Sequence, residues 1–284
     1  MIKNILVVGA AGFIGSNLSR KLVDAGYRVI VLKRSADNIS RLKEIEDRLE
    51  FYNSDKIDLS SIFSKNKIDL AINLATNFGR AKDTPASAII DTNILFAIRL
   101  AEAAVESDVK CLFNIDSSLD PSVNLYAYTK KVTKQLLKDY FSEKLKIFNL
   151  RLEYVYGPND DLNKLIPMAV DKLKKNQPLE ISKAEQELDF LNIEDCTDAF
   201  LYVIKNCDAF KNSFNDLQIG SGRTTSLKDL ILLIKEVAGS DSVIKFGAVP
   251  YRKHEQMYSR ADLQTMRDWR PKVSLKDGVK QLIS

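Results

Sequence analysis

At 284 residues, 45% hydrophobic and 28% charged, the chain is long enough to bury one large core or two unequal ones. Its formal charge of +4 is spread along the sequence, not gathered into a basic arm, which argues against nucleic acid or a membrane surface as partner. Three cysteines, Cys111, Cys196 and Cys207, are odd in number and lack metal-ligand spacing, which argues for a reducing compartment and against a disulfide framework or zinc site. With no secretory signal and no apolar run of roughly 18 residues, a cytoplasmic protein without membrane spans is expected.

The first element is the most informative. Residues 5–8 form a short apolar strand that runs into Gly9, Gly12 and Gly15, spaced G-x-x-G-x-x-G. Glycines there allow a tight strand-to-helix reversal and a close approach of backbone to a pyrophosphate, which the N-terminus of the following helix faces. Further strands are expected at 28–32, 49–52, 70–74, 111–115 and 147–150, and helices at 16–24, 39–46, 87–104, 126–141 and 165–174. Six strands alternating with helices predict an α/β fold, a Rossmann-like doubly wound parallel sheet. Beyond about residue 154 the rhythm breaks, so a smaller second lobe is expected, with a ligand cleft between the lobes. The expected division is a dinucleotide-binding domain of 1–153 plus about 191–218, and a substrate lobe of about 154–190 and 219–284.

The end of the second strand bears on which dinucleotide is bound. An NAD site usually offers a carboxylate there for the ribose hydroxyls, whereas this chain reads Lys33-Arg34-Ser35. A guanidinium clamps a 2′-phosphate that a carboxylate repels, so NADP(H) is predicted, with Arg34 as first contact and Lys33 or Ser35 assisting. The alternative, two cations in a solvated loop, stays open.

The catalytic candidate is Tyr126-Ala127-Tyr128-Thr129-Lys130. Positions four apart share a helical face, so the Tyr126 phenol and the Lys130 ammonium point the same way, and a neighbouring cation draws a phenol toward working pH. The Tyr-x-x-x-Lys spacing is expected about once by chance in such a chain, so placement matters more than pattern. The pair follows the fifth strand, which ends in Asp116-Ser117-Ser118, and a serine there can polarise a carbonyl. Tyr128 reads as packing or substrate-lining.

With these features together, the chain resembles the extended short-chain dehydrogenase/reductases, the nucleotide-sugar epimerase, dehydratase and reductase family, over nearly its whole length. Asp55 is similar to the acidic residue that meets adenine, Leu74-Ala75 to the segment lining the cofactor, and Asn93 to the helix asparagine that props the active site; Phe13 and Ile14 lie within the glycine turn. Arg151 through Pro158 resembles R-x-x-x-x-Y-G-P, Asp189-Phe190 with Ile193-Glu194-Asp195 a further family segment, and Trp269-Arg270-Pro271 the C-terminal G-W-x-P. The resemblance implies a catalytic triad of Ser117, Tyr126 and Lys130, with Ser118 the alternative serine. Tyr126 is the general acid/base, Lys130 also binds the nicotinamide ribose, and Ser117 hydrogen-bonds the carbonyl oxygen. It also implies a homodimer through the helices at 87–104 and 126–141.

Departures from the family pattern narrow the reaction. Dehydratases carry an Asp-Glu pair where this chain has Ser118-Leu119, and NAD-recycling epimerases carry the acid that Lys33 replaces. A Cys/His pair for 3,5-epimerisation is not evident, since the only histidine, His254, falls late, where it reads as a surface or nucleotide-edge residue. Where relatives place an arginine for the diphosphate this chain has Leu188, leaving Lys164, Arg223 or Arg252 to compensate. Phe78, Arg80, Glu153 and Tyr154 are candidate lining residues. The resemblance thus implies NADPH-dependent reduction of the C4 keto group of a 4-keto-6-deoxy nucleotide-diphosphate sugar, for deoxysugars of a lipopolysaccharide or capsule. The alternatives are an NAD-dependent 4-epimerase and a non-catalytic NADP-binding regulator or scaffold.

Overall fold

The computed structural model describes every residue except Met1 and Lys82. Its elements begin β1 (Asn4–Val8), α1 (Phe13–Asp24), β2 (Arg28–Lys33), β3 (Leu49–Asn53), α2 (Leu59–Asn66), β4 (Leu70–Asn73), α3 (Ala86–Ile90), α4 (Phe96–Glu106), β5 (Cys111–Ser117), α5 (Leu125–Phe141) and β6 (Lys146–Leu152). They continue β7 (Tyr154–Tyr156), α6 (Leu165–Lys174), β8 (Leu179–Ile181), β9 (Glu187–Leu188), β10 (Phe190–Asn192), α7 (Ile193–Lys205), β11 (Phe214–Ile219), β12 (Thr225–Ser226), α8 (Leu227–Ala238), β13 (Ile244–Phe246) and α9 (Leu275–Ile283).

The central sheet has the order β11-β6-β5-β4-β1-β2-β3, and β3, β2, β1, β4 and β5 pair in parallel. The chain builds outward from β1 in one direction through β2 and β3, then returns to its other side for β4. The order therefore reverses at β1 and β4, which is where a doubly wound sheet opens a crevice at its carboxyl ends. The strands are apolar throughout because helices cover both faces: Ile5, Leu6, Val7, Ile30, Val31, Leu70 and Ile72 are fully buried.

The chain divides into two compact units. One comprises Met1–Arg151 with Phe200–Leu217, the other Leu152–Ala199 with Gln218–Ser284. The second has its own apolar core, in which Ala169, Leu173, Leu179, Leu230, Ile231, Ile234 and Val279 are buried among α6, α8, α9 and β8. Its polar stitching is equally local. Asp189, fully buried, accepts the Ser221, Gly222 and Ala261 amides, and Asp195 accepts those of Lys272 and Val273.

Three features depart from the expectation of six strands and regular helices. The segment at 39–46 winds as a tight 3-10 run over Ser40–Arg48, since its two buried side chains, Leu42 and Ile45, are three residues apart and suit three residues per turn. The long helix at 87–104 is α3 and α4 joined by a widened π turn at Asp91–Leu95. A seventh strand, β11, escapes notice because Asn215, Asp216 and Gln218 interrupt its apolar pattern. The three cysteines are free, as expected, and Cys111 at the start of β5 hydrogen-bonds Cys207, which draws the Cys207 thiol down. No helix among the described residues is long and apolar enough to cross a membrane.

The turn after β1 is the tightest point of the first unit. Gly9 has φ +80°, and a Cβ there would lie 2.8 Å from the Leu74 carbonyl carbon; at Gly15 it would lie 2.2 Å from the Gly9 oxygen. Backbone atoms cannot swing aside as a side-chain tip does. Gly15→Ala is therefore expected to cost about 2–3 kcal/mol, as overpacking does, seen as a lower urea midpoint at unchanged m-value.

Candidate active site

The glycine turn sits at the switch point, where β1 lies beside β4. Gly12, the N-cap of α1, offers no side chain to cap the first turn, and that turn carries no acidic residue. A helix start without a side-chain cap from its N-cap residue and without a carboxylate suits a phosphate. The missing Cβ of Gly9 brings its backbone against Leu74 and Ala75, the residues that follow β4. The turn thus fits a dinucleotide pyrophosphate on geometry, with Phe13 buried beneath and Ile14 half-buried.

At the end of β2 the two cations hold their own loop. Lys33 Nζ donates to the Arg34 carbonyl at 3.0 Å, and Arg34 Nε donates to Asp37 Oδ1 at 2.9 Å. Asp55 Oδ1 accepts the Ser35 amide at 2.8 Å, and hydrogen bonds from Ser35 hold the Asp55 carboxyl below its ordinary range. Arg34 is 78% exposed in its side chain. An exposed ion pair of this kind is worth at most about 1 kcal/mol, so a phosphate can displace Asp37 at little cost.

Asn93 fastens the segment after β4 to α5. The π turn is wide enough to bury its side chain, whose Oδ1 accepts the Asn77 amide at 2.8 Å while Nδ2 donates to the Asn77 carbonyl and to Thr129 Oγ1, both at 3.0 Å. Thr133 donates to the Asn93 carbonyl at 2.7 Å. Phe78, one residue beyond the clamp, is thereby held with its ring centroid 4.7 Å from that of Tyr126, and the Arg80 guanidinium lies 4.6 Å from the Phe78 centroid.

Ser117, Tyr126 and Lys130 come together at the end of β5. Asn124 caps α5 by accepting the Ala127 amide at 2.9 Å, so the helix begins one residue before Tyr126. Tyr126 is half-buried, its phenol in a side-chain hydrogen bond with Ser117. Lys130 is buried; its Nζ lies 6.0 Å from the Tyr126 ring centroid and donates to the Ile115 carbonyl at 2.8 Å. The other serine, Ser118, is the next residue past β5 and half-buried.

The electrostatics correct one expectation from the sequence. Lys130 does not bring the phenol toward neutrality here. Burial pushes Tyr126 up to about 12, against the pull of the Ser117 hydrogen bond; Asp116 adds to the rise and Arg80 opposes it. Burial likewise lowers Lys130 to about 8, with Asp116 opposing. The reason is that both groups lose water on folding, and Lys130, lowered to about 8, has given up its charge before a phenol near 12 ionises.

The candidate substrate residues of the second unit divide. Glu153 is buried and accepts Ser259 Oγ, and burial, followed by the Glu153 charge, raises the Tyr154 phenol. Lys164 is ion-paired with Asp160 at 2.7 Å. Arg223, Arg252 and His254 are exposed. Leu188 is part of the second unit's apolar core and pairs with Thr225, so this position offers a diphosphate no charge. Sequence reasoning named Asp116 and Asp189 only as parts of motifs and passed over Asn149, and it assigned none of them the buried holding role they have here. Their only sequence signal is a polar residue inside an apolar strand or beside one.

An open glycine turn at a switch point with a serine, tyrosine and lysine at the neighbouring strand end defines a dinucleotide-dependent α/β protein of short-chain dehydrogenase/reductase type. A profile of the NAD dependent epimerase/dehydratase family matches residues 5–220, and the chain belongs to that family. Among its relatives, CDP-abequose synthase of Salmonella muenchen is 32% identical, covering 99% of this chain and 97% of the relative. The dTDP-4-dehydro-6-deoxyglucose reductase of Escherichia coli is 26% identical, covering 98% and 96%. The crystal structure of the UDP-glucose 4-epimerase of Thermotoga maritima with UDP-glucose superposes with a TM-score of 0.84 at 26% identity, covering 99% of this chain and 97% of that one.

The buried ammonium has a stability consequence. A lysine lowered from 10.5 to about 8 is a penalty that grows as pH falls from about 10.5 to about 8 and is constant below. Its full size is about 3 kcal/mol at roughly 1.4 kcal/mol per pH unit. Lys130→Met is expected to be more stable than the parent at pH 7.5, with the difference shrinking toward pH 9.5 in urea unfolding. A difference that stays flat across that window contradicts the burial of a charge.

Proposed function

We propose that the protein reduces the C4 keto group of a 4-keto-6-deoxy nucleotide-diphosphate sugar with NADPH, as a step in making a deoxysugar. The observation that carries this reading is the cluster of Ser117 hydroxyl, Tyr126 phenol and Lys130 ammonium at the end of β5. When bound, the reduced dinucleotide supplies the hydride that the sugar C4 accepts. Ser117 donates a hydrogen bond to the carbonyl oxygen, and Tyr126 delivers its proton to the oxygen as charge develops there. A phenol kept protonated at neutral pH is in the correct state to act as the acid. Lys130 holds the nicotinamide ribose and restores the proton, while Gly9, Gly12 and Gly15 admit the pyrophosphate and Asn93 fixes the geometry of the cluster.

Reduction in place of epimerisation is supported by two features. Lys33 and Arg34 stand at the end of β2 where a carboxylate would repel a 2′-phosphate. The relatives named as an abequose synthase and a 4-dehydro-6-deoxyglucose reductase align with nearly all of the chain. With Leu188 buried, the diphosphate falls to Arg223 and Arg252, and Phe78, Ser118, Glu153 and Tyr154 remain the sugar contacts of this reading.

Incubation with NADPH and CDP- and dTDP-linked 4-keto-6-deoxy sugars is expected to consume NADPH with at least one of them. Untouched NADPH throughout, together with C4 interconversion of intact sugars by NAD-loaded protein, makes the protein an epimerase. Neither activity, with tight dinucleotide binding, makes it a non-catalytic binder. Arg34→Ala is expected to weaken NADPH by about 10-fold, the value of one charge-assisted phosphate contact, while leaving NADH affinity within about 2-fold in a fluorescence titration.

A further inference from the structure

Asp116 lies on β5 one residue before Ser117, and its carboxylate is buried. Both oxygens are committed. Oδ1 accepts the Ser117 amide at 2.7 Å, and Oδ2 accepts Asn149 Nδ2 at 3.0 Å. Asn149, fully buried on β6, is held in turn: its Oδ1 accepts Asn114 Nδ2 at 2.8 Å, and its Nδ2 also donates to Asp216 Oδ1 at 2.8 Å. Asp216 on β11 is ion-paired with Lys134 of α5. An amide whose two ends are both engaged has one orientation, so the carboxylate it donates to is fixed in place.

The hydrogen bonds to Asp116 come from neutral donors, which leave a buried charge only partly compensated. Lys130 reaches from α5 to the carbonyl of Ile115, the residue before Asp116, and the Asp116 charge acts on it. Tyr126, also of α5, feels Asp116 from one side and Arg80, in the segment after β4, from the other. The remaining charges around Asp116 are committed to each other, Asp216 with Lys134.

We propose that Asp116 is a positioning residue for the Tyr126–Lys130 pair: its carboxylate, locked by the Ser117 amide and Asn149, is the counter-charge that keeps the buried Lys130 side chain an ammonium, and so sets the protonation state in which the pair works. This rests on the reading that Tyr126 and Lys130 carry the reaction. Burial weakens the lysine's hold on its proton; the neighbouring carboxylate returns part of that affinity, so the cation persists through neutral pH. The same carboxylate orients the peptide on which the Ser117 hydroxyl stands. Asp116 touches neither substrate nor dinucleotide in this role.

The test is the titration of Lys130 itself, read by NMR of the Cε–Nζ group in full-length protein with labelled lysine. The Lys130 resonance is the one lost in Lys130→Arg. In the parent its midpoint is expected near 8. In Asp116→Asn it is expected about one pH unit lower, the order of effect of removing a neighbouring unit charge in a protein interior, and the alkaline limb of kcat is expected to move down with it. Asp216→Asn, which removes an acid already paired with Lys134, is expected to leave the Lys130 midpoint in place. An unchanged or raised midpoint in folded Asp116→Asn overturns the proposal, as does an equal fall in both variants. If circular dichroism shows Asp116→Asn unfolded, Asp116→Ser carries the same expectation and the same overturning result. The midpoint does not depend on the assigned reaction, which full activity of Tyr126→Phe would remove on its own.

Discussion

A lysine ammonium buried under the end of a central strand is the constraint around which the first unit is arranged. Lys130 gives up its water on folding and receives in exchange one carbonyl, that of Ile115, together with the field of Asp116. Such a group is a poor contributor to stability, and a folded chain tolerates it only where the surroundings leave it no alternative. Here α5 is capped at Asn124, which sets the turn that faces β5, and Thr129 and Thr133 anchor the other side of the same helix to Asn93. The ammonium and the phenol are held in register by neighbours on both faces of the helix.

That arrangement explains why Tyr126 and Lys130 are not the simple cation-and-phenol couple that their spacing suggests. Four residues of separation place Tyr126 and Lys130 on one face, but they do not decide how much water either keeps. Tyr126 stands against the Phe78 ring and the Ser117 hydroxyl, and its proton is held more tightly than in solution. In the proposed reduction, a protonated phenol is what the acid must be at the moment the alkoxide forms. The charges that tune it, Asp116 and Arg80, come from two other segments of the chain.

The parts that were legible in the sequence are those where backbone geometry restricts residue type. Gly9 and Gly15 read as a dinucleotide turn, and the structure brings their α-carbons against backbone where no Cβ fits. The doubly wound sheet was legible from apolar strands at regular intervals, because strands covered on both faces must be apolar. The turn at Ser40–Arg48 and the π turn at Asp91–Leu95 were not, since a change of less than one residue per turn over so short a run leaves the apolar spacing close to that of an ordinary helix. β11 was hidden for the opposite reason: Asn215 and Asp216 meet Ile147 and Asn149 on the neighbouring strand, a use of polar residues that only pairing reveals.

The sequence by itself determined the class of fold and the glycine turn, because these follow from apolar spacing and from the demands of close backbone approach, while its resemblance to the family singled out Ser117, Tyr126 and Lys130. The tertiary structure decided the charge states of those groups. It buried Lys130 and raised Tyr126, brought the Asp116 charge to bear on both, tied Arg34 to Asp37, and sent Leu188 into an apolar core. Desolvation and through-space charge depend on which distant segments arrive beside a residue, and no pattern along the chain records that.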